Sequence, residues 1–177
     1  MVRMRRVVLA LGLTAMVATA CSKTSPPTPA PAPSPAPASA LALPPDPQPA
    51  GPGPCPYLDT SFVADANGQH VSKVQTSADG SHPTCFFYAL TGKLQLTVRI
   101  YVGDAAVAQA LVDKAAPVDT SNPASDPAGW TGGYEQTGTG AVYAVAKGGS
   151  AVIVTTNQQQ TVKARTVTKQ AISALGL

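Results

Sequence analysis

Residues 55–177 predict an α+β domain, a mainly antiparallel sheet of five or six strands with three helices packed on it. Two observations lead there. Short runs alternate apolar and polar residues, most cleanly in "LQLTVRIYV". There Leu94, Leu96, Val98, Ile100 and Val102 face one way and Gln95, Thr97, Arg99 and Tyr101 the other, as a half-buried strand requires. Tight turn signals, "TGK" and "KGGS", join such runs and imply hairpins, hence antiparallel neighbours. Three longer stretches with helical spacing must then pack on the sheet.

The elements follow in chain order. "YLDTSFVADANG" reads as a short helix with Asp59 or Thr60 as N-cap and Gly68 just past its end. "HVSKVQTS" and "TCFFYAL" are strands separated by the turn "ADGSHP", and "LQLTVRIYV" follows through the "TGK" hairpin. Asp104 caps "AAVAQALVDKAA", whose Val107, Ala108, Leu111 and Ala115 share a face. "AVYAVAK" and "SAVIVTT" form a hairpin through Gly148 and Gly149. Asn157 caps a last helix, with Ala164, Val167, Ala171 and Leu175 as its inward stripe.

One stretch resists assignment. From Pro117 to Gly140 no period is visible, and a structureless connection of this length is uncommon in a compact domain. It is either a functional loop or a disguised strand. Trp130 and Tyr134 lie in it among glycines. Exposed, they form a candidate binding surface for sugars or a partner peptide; buried, they close the core, which is the stronger expectation for Trp130.

Ahead of the domain the chain reads as a leader, residues 1–20, and a tether, residues 21–54. Arg3, Arg5 and Arg6 precede the uncharged run "VVLALGLTAMVATA", the plan of a secretory signal. The run is too short for a membrane span, which takes about 20 apolar residues. Thr19 and Ala20 stand directly before Cys21. The arrangement resembles the bacterial lipobox, in which the cysteine receives a diacylglycerol and acyl chains such as palmitate, although Ala18 stands where leucine is more usual. The expectation is lipidation at Cys21 and anchoring to the outer face of the cell membrane without a span, because two acyl chains suffice for stable attachment. Ordinary cleavage beside an incidental cysteine is the alternative.

Fourteen of the 18 prolines fall in residues 22–56, interleaved with alanine, serine and threonine. Such a segment favours polyproline II and acts as a semi-rigid spacer. At about 3.1 Å per residue, residues 22–54 would reach roughly 100 Å when extended. The formal charge of +3 belongs to the leader, because residues 55–177 carry eight basic and eight acidic side chains. A near-neutral mature chain gives no footprint for nucleic acid. With Cys21 lipidated, Cys55 and Cys85 remain as an even pair in an exported protein, which predicts a disulfide. A metal site or a reactive thiol is the alternative.

Several strings carry a resemblance: "CPYLDTSFVADANGQ", "HPTCFFY", "LQLTVRIYVGDAAVAQALVD", "TSNPA" and "AVYAVAKGGSAVIVTTNQQQTVKAR". Over about residues 54–173 the chain resembles an actinobacterial lipoprotein family, the domain of unknown function numbered twenty-twenty. The resemblance implies an exported, often lipid-anchored domain with a fold similar to PsbP-like proteins. It implies no activity and no catalytic residue.

The residues offer little recognisable chemistry. There is no G-x-S-x-G elbow, and Ser150 in "KGGSAV" reads as the start of a strand. Glu135 is the only glutamate, so no acidic pair is placed recognisably for glycoside hydrolysis. Asp119 and Asp126 lie near prolines, where aspartates usually make turns. His70 and His82, the only histidines, lie 12 residues apart with Asp79 close by in sequence; a metal site needs both together, and they read instead as a strand edge and a pre-proline turn. "GGYEQTGTG" lacks the ending of a phosphate loop. Lys163, Arg165 and Lys169 either meet anionic headgroups or wall polymers or form a solvated face.

The expected protein is therefore a monomeric, non-catalytic binding or accessory module of the cell envelope, with no cofactor and no metal. Its partner would be an envelope protein, a lipid or a wall polymer. The alternatives are a small-ligand or lipid carrier with an internal pocket, and a weak hydrolase assembled from distant residues.

Overall fold

The computed structural model describes residues 41–78 and 80–177. The leader, Cys21 and the tether up to residue 40 lie outside the described residues. Eight strands and three helices are present among those described: β1 (Gly51–Pro52), α1 (Thr60–Asn67), β2 (Val71–Thr76), β3 (Cys85–Ala89), β4 (Leu94–Val102), α2 (Ala105–Ala115), β5 (Asn122–Ala124), β6 (Thr131–Thr137), β7 (Gly140–Lys147), β8 (Ser150–Thr156) and α3 (Thr161–Leu175). They make one antiparallel sheet in the order β1-β2-β3-β4-β8-β7-β6-β5. The class is α+β, as expected, but the strand number is eight rather than five or six. No helix among the described residues is long and apolar enough to cross a membrane.

Alternation along the central strands decides how the helices pack. Val152 and Val154 of β8, and Tyr143 and Val145 of β7, join Leu96, Val98 and Ile100 of β4 in a core closed by α1 and α3. The intervening Val142, Ala144, Ala146, Ala151 and Ile153 face the other way and pack against Ala108, Leu111 and Val112 of α2. The result is three layers, with α2 on one face of the sheet and α1 and α3 on the other. Strand β7 is therefore buried along nearly its whole length, unlike the half-buried β4.

Local signals place the helices. Asp104 caps α2 as expected, its Oδ1 accepting from the amides of Ala106 at 2.8 Å and Val107 at 3.2 Å. Gly68 ends α1 in the left-handed region at φ 70°. The N-cap of α3 is Gln160 and not Asn157. The Asn157 amide instead donates to Gln95 O at 2.9 Å, which holds that residue at the end of the sheet. Gln95 itself, expected on the polar face of β4, is buried. Its side chain accepts from Asn67 Nδ2 at 3.1 Å and donates to His70 O at 3.1 Å. Thr156 Oγ1 donates to Asn67 Oδ1, and Lys163 Nζ donates to Asn67 O at 2.9 Å. This network ties α1, β4, β8 and α3 together with no buried side-chain polar atom left unpaired among the described residues.

The cysteine count is answered by a Cys55–Cys85 disulfide with Cα atoms 5.6 Å apart. Tyr57 fastens the same loop: its hydroxyl donates to Pro83 O at 2.9 Å and lies 3.2 Å from Val98 O. Burial pushes the Tyr57 phenol well up. Closing a 30-residue separation contributes about 3–4 kcal/mol in the chain-entropy model.

The boundary expected at residue 54 moves. Residues 43–53 form a strap on the α2 side of the sheet and along its edge. Leu43 packs against the α2 cluster, and Gly51 and Pro52 pair with Thr76 and Gln75 as an edge strand. Proline is tolerated there because an edge strand has one side with no ladder bond to donate. Extended prolyl backbone has carbonyls to spare, and Arg99 uses them. Its Nη2 donates to Pro45 O at 2.9 Å and Pro44 O at 3.3 Å, while Nη1 reaches Asp46 Oδ1 at 3.1 Å. Lys114 of α2 holds the same carboxylate at 2.8 and 2.9 Å.

The hydrogen bond from Lys114, helped by the nearby Arg99 charge, holds the Asp46 carboxyl below its ordinary 3.8. A carboxylate whose folded value is depressed stabilises the fold above its unfolded value and loses that contribution as pH falls through the folded one. Asp46 is 63 % exposed, so solvent screening keeps the effect small. We expect Asp46→Asn to cost about 1 kcal/mol or less near neutrality. In urea unfolding followed across pH, the gap between the two proteins should close as pH drops below 3.8. A gap that persists unchanged into strong acid would disprove this role of the charge.

Candidate binding cleft

The unassigned stretch from Pro117 to Gly140 contains two strands and a turn. Strand β6 pairs along β7 from Thr131 to Thr137, and β5 adds three residues outside it. Glycine at 132 and 133 meets a steric demand: a Cβ at Gly132 would collide with the Ala144 carbonyl oxygen and Val112, and one at Gly133 would collide with the Ser121 hydroxyl and press on Ala116. The Asp126–Pro127 peptide in the turn is cis.

This refolding separates the two candidate aromatic residues. Trp130 is 2 % exposed and sits in the core on the α3 side. It is therefore no part of a binding surface. Its amide donates to Pro127 O at 3.0 Å, which turns the chain inward just before β6. Tyr134 is half-buried and stacks on the buried Tyr143, with ring centroids 6.0 Å apart and planes 14° from parallel.

Tyr134 lines an open cleft of about 300 Å³ between the β5–β6 rim and the start of α3. Ser125 and Asp126 supply one wall, and Thr161, Val162 and Arg165 of α3 another. The Tyr143 hydroxyl donates to Asp126 O at 2.7 Å and fixes the turn to the sheet. Burial raises the Tyr143 phenol, so it stays a neutral donor. The Asp126 carboxylate lies 3.2 Å from Lys169 Nζ and 3.9 Å from Arg165 Nε. Two cations thus surround one carboxylate at the cleft wall.

The basic residues of the last helix therefore do different things. Lys163 turns inward to Asn67, while Arg165 and Lys169 converge on Asp126. Sequence reading found Tyr134 but missed Asp126 and Arg165 as a pair. Only the antiparallel placement of β6 beside β7 brings the turn against α3. Among the described residues no group of three or more His, Cys, Asp or Glu side chains is placed to hold a metal ion.

A three-layer α+β domain with an aromatic and charged cleft at its sheet rim is the class that this geometry defines. The chain belongs to the family described as Domain of unknown function (DUF2020), whose model matches residues 38–177. That match begins ahead of Cys55 and takes in the strap. No curated protein is a significant match.

Trp130 and Tyr134 should now part experimentally. Trp130→Ala is expected to lower stability by about 3–5 kcal/mol, as loss of a core aromatic does. Tyr134→Ala, at the half-exposed rim, should lower it by clearly less. Comparable melting shifts for the two variants would reject this assignment.

Proposed function

We propose that this is an exported, lipid-anchored cell-envelope protein, held to the outer face of the cell membrane through Cys21. Its folded domain is a non-catalytic binding or accessory module. The observation that carries the reading is the position of the cleft. It opens on the α3 side of the sheet, whereas the strap joins the domain on the α2 side and at the opposite sheet edge. No strap residue among those described lines the cleft.

Rigid backing supports the same reading. Binding residues are commonly carried on rims and loops held by a stiff scaffold, and Tyr134 is backed by a buried ring on a strand buried along nearly its whole length. The Tyr134 cleft opens to solvent, which favours surface recognition there over enclosure of a lipid chain.

The test is site-specific photocrosslinking of the full protein in its native envelope. A photoactivatable residue replaces either Val162, 49 % exposed at the cleft, or Val118, 79 % exposed on the α2 side. We expect a crosslinked product from position 162 that Tyr134→Ala removes and that Cys21→Ala reduces by releasing the protein from the membrane. A product from position 118 alone, or one indifferent to both substitutions, would overturn the reading.

A further inference from the structure

The cleft carries more chemical information than its position. Resting on the binding reading above, we propose that it takes a pyranose ring bearing a carboxylate, with the ring on Tyr134 and the carboxylate on the guanidinium of Arg165.

The charge arrangement points to an anion. Asp126 is the one carboxylate of the cleft, and Lys169 holds it more closely than Arg165 does. Arg165 approaches Asp126 through Nε at 3.9 Å, beyond hydrogen-bond distance, and its guanidinium makes no hydrogen bond to protein among the described residues. A planar guanidinium with unengaged donors is shaped for bidentate contact with a carboxylate. Glu135 does not compete for it. That residue pairs with Val142, whose side chain belongs to the α2 cluster.

The remaining walls point to a hydroxylated ring. Tyr134 presents an aromatic face stiffened by Tyr143 behind it, suited to the C–H face of a sugar. The hydroxyls of Ser125 and Thr161 line the cleft and make no hydrogen bond to protein among the described residues, so they are available to ring hydroxyls. About 300 Å³ lies at the small end of ligand sites and suits one ring or two rather than an acyl chain.

The experiment titrates the whole protein with sodium glucuronate, glucose and sodium acetate, following amide and tyrosine ring resonances by NMR. Glucuronate is expected to shift signals of Tyr134, Val162 and Arg165 and to bind at least tenfold more tightly than glucose or acetate. Arg165→Gln should bring glucuronate down to the level of glucose without moving the melting transition. Arg165→Lys, which keeps the charge and loses the planar donors, should fall between them. Equal binding of glucose and glucuronate would overturn the carboxylate, and equal binding of acetate and glucuronate would overturn the ring. No shift with any of the three would overturn the ligand class. The binding reading would still stand if position 162 crosslinks a partner in a Tyr134-dependent way, and would fall separately if it does not.

Discussion

Strands β7 and β8 carry apolar side chains on both faces, so neither face can be left to water. Val145, Val152 and Val154 point one way, and Val142, Ala144, Ala151 and Ile153 the other. A sheet with a two-sided centre needs cover on both sides, as buried strands with continuous apolar runs generally do. Helices α1 and α3 cover one side and α2 the other. The two covers differ in size because the strand residues differ. Small alanines let α2 lie close, and Gly132 and Gly133 carry the same close approach out onto β6. Larger side chains, with Trp130 and Tyr143 among them, fill the space under α3.

From this two-sided centre the sheet extends to two unlike rims. Toward β2 and β1, α2 no longer reaches, and the strap takes its place through Arg99, Lys114 and Asp46. Toward β6 and β5, α3 leaves a gap over the turn at Asp126, and that gap is the cleft. The same strand, β7, supplies Tyr143 to the cleft and Ala144 to α2. The cleft is thus backed by a strand buried along nearly its whole length, while its other walls come from the rim turn and the start of α3.

How much of this is legible in the sequence depends on how each residue earns its place. Strand β4 shows in its alternation, and β2, β3, β7 and β8 show as short runs rich in valine and aromatic residues bounded by turn signals, the two-sided ones as continuous apolar runs. Strand β6 hides because "TGGY" was shaped by close approach to β7 and α2, and glycine carries no strand signal. Strand β1 hides because proline reads as spacer, although Leu41, Leu43 and Asp46 already interrupt the proline, alanine and serine composition before it. Asn157 looked like a helix cap because the residue type favours that place, while the sheet claims its amide. At the cleft, Tyr134 is visible as an aromatic among glycines. The meeting of Asp126 with Arg165 and Lys169 is a product of topology, and no local pattern contains it.

Native-state hydrogen exchange tests the two-sided centre most directly. Cooperative units buried on both sides should open only with the whole molecule, while rims open on their own. Amides of residues 141–146 and 151–155 are expected to share one opening free energy, equal to that of global unfolding by denaturant. Those of Ala50, Gly53 and β5 should exchange through smaller, separate openings. Central amides that exchange as fast as the strap, or that open in a step well below global unfolding, would contradict the account.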